Sequence, residues 1–82
     1  MANGTYEYQS DFARRWYAEG VRIGVLRERA RSVLTVLEAR GLPVSEAVRA
    51  RVLESRDLAE LDIWLRRAAT LTSATAIFDG GV

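Results

Sequence analysis

The sequence predicts an all-α fold: one long N-terminal helix over about residues 10–40, followed by a compact unit of two or three short helices at about 45–54, 57–69 and 73–78. Three observations carry this. Apolar residues recur at helical spacing through the first half of the chain, capping signals punctuate the second half at short intervals, and no β-hairpin signal occurs.

The first nine residues combine Asn3-Gly4 with alternating Tyr6 and Tyr8 and show no helical period, so residues 1–9 are expected to be a loosely ordered lead-in and residues 10–82 a single small domain. Ser10 is a suitable N-cap, with Asp11 in the first turn. From there Phe12, Trp16, Ile23, Leu26, Ala30, Val33 and Leu37 step by three, four or seven, a heptad seam in which Glu19 is the one polar interruption. Gly41 suits a left-handed C-terminal cap and Pro43 prevents continuation.

Ser45 is expected to cap the second helix, with Glu46 in its positive first turn and Val44, Ala47, Val48 and Val52 as its apolar face. Asp57 and Glu60 have capping-box spacing at the start of the third, whose buried stripe is expected to be Leu58, Leu61, Trp64, Leu65 and Ala68. Arg66 and Arg67 complement the negative end of its dipole. The segment "TSATAIF" can add a last turn, capped by Ser73, that tucks Ile77 and Phe78 onto the other helices.

Composition bounds the function. An 82-residue chain is one domain near the size at which a private core supplies only about 3–5 kcal/mol, and support from a partner is common there. Cysteine and histidine are both absent, which removes disulfides, thiolate metal sites and imidazole chemistry. All twelve basic residues are arginine, and eleven acids leave a net charge of +1, too balanced to announce a nucleic-acid partner. The absence of lysine beside abundant Ala, Val, Leu and Arg fits a high-GC coding sequence. With no signal-peptide pattern and no long apolar run, the expected location is the cytoplasm, with no membrane partner.

Length turns this fold into an argument about partners. A helix from residue 10 to 40 extends roughly 45 Å, whereas a compact globule of this size is nearer 30 Å across. Its short helices can cover only the C-terminal half, leaving apolar surface of the kind that marks an interaction site. The expected partner-binding residues are Phe12, Trp16, Tyr17, Ile23, Leu26, Val33 and Leu37, and the expected assembly is a homo-oligomer, with a dimer favoured. Trp64, among Leu58, Leu61 and Leu65, is expected to be core. Gly20 and Gly24 interrupt the same helix at about 1 kcal/mol each. Two readings stand: a soft linker relic, or a place where a partner backbone comes close.

The run from Gly20 to Phe78 resembles the C-terminal region of the recombination-promoting nuclease (Rpn-like, transposase-related) family, in which a PD-(D/E)XK nuclease domain is followed by glycine- and glutamate-rich repeats and a small helical tail. Glu19-Gly20 and Gly24 look like a worn copy of that repeat. "LTVLEARGL", "VSEAVRARVLES" and "LAELDIWLRRA" look like the family's Leu-rich helix, its turn and its Leu-x-x-Leu-x-x-Trp-Leu-x-x-Ala helix, and "GTYEYQSDFARRW" looks like the joining segment of actinobacterial members. The resemblance implies an assembly tail without its nuclease, an antitoxin-like regulator able to enter a full-length relative's oligomer.

The nuclease signature itself has no counterpart in this chain. Metal-dependent phosphodiester cleavage needs carboxylates gathered around a divalent ion, whereas Glu28, Glu38, Glu46, Glu54, Glu60 and Asp62 are spaced along helix surfaces. Ser32, Ser45, Ser55 and Ser73 have no histidine or lysine to activate them. The expectation is a non-catalytic module with no cofactor, no metal and no catalytic residue. The alternative is a nucleic-acid-binding accessory using Arg15, Arg22 and Arg29, which recur every seven residues beside the seam.

Overall fold

The computed structural model describes the backbone of residues 2–79 and the side chains of residues 12–79. Three α-helices follow one another, α1 (Ala2–Ala39), α2 (Glu46–Glu54) and α3 (Leu58–Ala68), and a 3-10 turn (Ala74–Phe78) closes the order. No strand occurs among the described residues. The chain is all-α, with the long helix first and the short ones after it, as the apolar spacing requires. The expected lead-in over residues 1–9 and the Ser10 cap fall outside the residues whose side chains are described, and α1 is bounded at Ala2 rather than at Ser10.

α1 ends where Gly41 permits it. With φ at +74°, Gly41 takes the left-handed conformation; its N–H reaches the Glu38 carbonyl at 2.9 Å, and the Leu42 N–H reaches that of Leu37 at 3.0 Å. This pair of bonds is a Schellman cap, and Leu42 then packs back on the core that holds Leu37. The Ser45 hydroxyl oxygen accepts from the Val48 N–H at 3.2 Å and caps α2 as expected.

Asp57 caps α3, accepting from the N–H groups of Ala59 at 3.0 Å and Glu60 at 3.3 Å. The return arm differs from a simple capping box. Glu60 accepts from the Ser55 hydroxyl at 2.9 Å, and the Ser55 oxygen accepts the Asp57 N–H at 3.3 Å. Ser55 thus links the Glu60 carboxylate to the Asp57 backbone, in place of a direct bond from the Asp57 N–H to Glu60. Ser73 makes no side-chain cap to the final turn, and its hydroxyl faces that of Thr75 instead.

The short elements fold back on the C-terminal half of α1 and enclose one core: Leu26, Ala30, Val33, Leu34 and Leu37 from α1, Val48 and Val52 from α2, Leu61, Trp64 and Ala68 from α3, and Ala74 and Ile77 from the final turn. Phe78 meets Trp64 edge to face at 4.9 Å between ring centroids, and the Arg51 guanidinium lies 4.1 Å from the Phe78 centroid. Trp64 is therefore core, and Ile77 and Phe78 are tucked in as the sequence implies.

Two expected core positions lie on the surface and one unexpected position is buried. Ala47 is exposed, because a nine-residue helix buries only Val48 and Val52 on its facing side. Leu58 is exposed, since it lies about 90° around α3 from the direction shared by Leu61, Trp64 and Ala68. Leu34, outside the heptad seam, is buried: α1 is covered by two helices here, and a wider stripe than a single seam is needed.

Arginines fasten the ends. Arg40, just past α1, donates to the carbonyl oxygens of Ala68, at 2.9 Å, and Leu71, so the C-terminus of α3 is satisfied from α1. Arg67 donates to the Ile77 carbonyl at 2.8 Å and holds the final turn. Arg29 pairs with Asp62, and Arg49 with Glu38 at 2.8 Å, joining α1 to α3 and α2.

Candidate interaction surface

The 38 residues of α1 span about 57 Å, and the molecule measures 61 × 22 × 19 Å, so the helix sets its long dimension. The core begins only at Leu26. N-terminal to it, Phe12, Trp16 and Tyr17 are 71%, 74% and 73% exposed, and Ile23 is 39% exposed. Trp16 stacks on Phe12 with ring centroids 6.3 Å apart and planes at 21°, so the two rings form one apolar ridge along the helix.

Helix geometry shows why this ridge is apolar. Eighteen residues make about five turns, so Phe12 lies on the same side of α1 as Ala30, and Trp16 on the same side as Leu34. Ala30 and Leu34 are buried beneath the short helices, whereas Phe12 and Trp16 occupy the continuation of that side with nothing over it. By the same rotation Tyr17 shares a side with the exposed Thr35, at the margin of the ridge.

Not every expected partner residue remains available. Leu26, Val33 and Leu37 belong to the chain's own core, with Val33 and Leu37 fully buried. They are corrected to internal packing residues, because a side chain already enclosed by α2 and α3 offers no surface to another molecule. Phe12, Trp16, Tyr17 and Ile23 stay on the surface. Trp16 and Tyr17, about three-quarters exposed, take no part in the chain's own core.

The arginine row divides in the same way. Arg15 and Arg22 are exposed on the uncovered half, while Arg29 is engaged with Asp62 of α3. A three-residue phosphate track would have to break an ion pair that joins two helices. Among the described residues no group of three or more carboxylates gathers where it could hold a metal ion, and no helix is long and apolar enough to cross a membrane.

Gly20 and Gly24 also lie on the uncovered half. Apart from its chain neighbours and the adjacent backbone of α1, a Cβ added at either would meet no atom within 4 Å, so neither glycine is required by packing against another part of the chain. Sequence reasoning missed the Arg40 clamp on α3, because a contact across 28 and 31 residues leaves no local pattern. Comparison of the chain with protein-family models, curated proteins and solved structures finds no match.

Proposed function

We propose that this chain is a non-catalytic, cytoplasmic helical module whose work is self-association through the N-terminal half of α1. One observation carries the reading: Phe12 and Trp16 extend the apolar side of α1 beyond the reach of the chain's own short helices. Three aromatic rings about three-quarters exposed within six residues form a patch that water solvates poorly and that a partner would cover. The C-terminal unit, with its caps, clamped termini and closed core, acts as the folded base from which this helix projects.

On the resemblance to nuclease-family tails, the same surface also suggests a heterologous role. Wherever such an assembly helix is presented apart from a nuclease domain, it would enter a full-length relative's oligomer through Phe12, Trp16 and Ile23 and lower the number of catalytic domains in it. Co-expression with such a relative, followed by pull-down and a DNA-degradation assay, tests this role. Co-purification with loss of cleavage is expected. A relative that assembles through its own tail yet never retains the short chain would overturn it.

Self-association is tested separately by sedimentation of the chain alone. A concentration-dependent dimer that persists or strengthens as salt rises is expected, since apolar burial does not depend on counterion release.

A further inference from the structure

We infer that the second copy binds antiparallel, in the register that sets Trp16 of each chain against Gly20 of the other and Phe12 against Gly24. This rests on the self-association proposed above and specifies its geometry. Phe12, Trp16, Gly20 and Gly24 are spaced by four and form a single ridge about 18 Å long, bulky in its first half and bare in its second. A two-fold axis passing between the two helices, level with the midpoint of Trp16 and Gly20, sets one chain's ridge on its partner's in reverse. Each ring then falls on a glycine backbone with no side chain in the way.

A parallel pair in register would press Trp16 on Trp16 and Phe12 on Phe12, holding the helices apart at the facing glycines. The antiparallel register fills that space.

Charge selects the same arrangement. In an antiparallel pair each flank faces its own counterpart, which brings Glu19 of one chain beside Arg15 of the other, twice by symmetry. Glu19 also explains why the contact follows the ridge rather than the heptad seam. It lies eighteen residues before the fully buried Leu37, so a straight continuation of the core side would bury its carboxylate. The ridge drifts about 40° per step, which leaves Glu19 at the margin and carries the partner away from the side that α2 and α3 cover.

The area is sufficient. Three aromatic side chains of about 150–250 Å² each, exposed as they are, together with Ile23 and the bare glycine backbone, offer at most roughly 1,000–1,200 Å² for the pair, the lower end for a specific complex, so a partly covered ridge gives a weak, concentration-dependent dimer.

The absence of cysteine makes the test direct. A spin label at an exposed Thr35→Cys site, seventeen residues past the proposed axis, is read by double electron–electron resonance. The antiparallel register places the two labels about 50 Å apart, and a parallel pair places them within about 30 Å. A distance near 50 Å supports the inference. A short distance overturns the register and leaves self-association standing, whereas no dipolar signal together with a monomer mass removes both. Gly20→Leu supplies an independent arm: it is expected to weaken the dimer at least tenfold with helicity retained, and an unchanged dissociation constant would contradict the packing.

Discussion

Replacing Trp16 by alanine separates the stability of the fold from the stability of the assembly. The indole is 74% exposed and stacks on Phe12 of the same helix, so within one chain the substitution removes an i, i+4 contact of about 0.2–0.5 kcal/mol. In the dimer the loss is larger. An indole side chain of about 230 Å² with about three-quarters of it exposed offers roughly 170 Å² to a partner; covering half of that contributes about 2 kcal/mol per chain and about 4 kcal/mol per dimer. The dissociation constant should therefore rise on the order of a thousandfold while the helical signal per residue at low concentration stays near that of the parent. Sedimentation equilibrium measures the first quantity and circular dichroism the second. A dissociation constant changed less than about fivefold would show that Trp16 is not covered in the assembly, and a collapse of helicity would show that it belongs to the fold.

The double substitution Gly20→Ala and Gly24→Ala should raise the stability of the chain by up to about 2 kcal/mol in chemical denaturation at concentrations where it is monomeric, because added methyl groups meet open space. Leu37→Ala removes a fully buried side chain at the centre of the core and should lower stability by about 2–5 kcal/mol, seen as a fall in the denaturation midpoint. Gly41→Ala places a side chain at φ +74° and should cost about 1–2 kcal/mol, a drop of several degrees in Tm, even though no neighbouring atom obstructs the new Cβ.

Much of the architecture was legible because it is written in local signals. Gly41 with Pro43, Ser45 with Glu46, and Asp57 each mark a helix boundary through backbone hydrogen bonding within a few residues, and the structure places those boundaries within a residue or two. The core was legible to the extent that one helical period describes it. It failed at Leu34 and Leu58, where burial depends on how many helices converge and at what angle, which no single-helix pattern contains. The Arg40 clamp was missed because it joins residues 28 and 31 positions apart, and the Ser55 bridge because the capping-box spacing assigns the Glu60 carboxylate to the Asp57 N–H.

For the interaction surface, the sequence separated an apolar helix from its cover only by length. It therefore assigned Leu26, Val33 and Leu37 to a partner along with Phe12 and Trp16. All five occupy one helical stripe, and only the extent of the short helices divides the internal part of that stripe from the external part.

The most direct test of the account is the solution mass of the unmodified chain, measured by sedimentation equilibrium from a few to about one hundred micromolar at low and at moderate salt. The uncovered ridge predicts a reversible approach to twice the 9.2 kDa chain mass, no weaker at moderate salt. A mass that stays at one chain across the whole range would contradict the claim that the N-terminal half of α1 exists to be covered by a second copy.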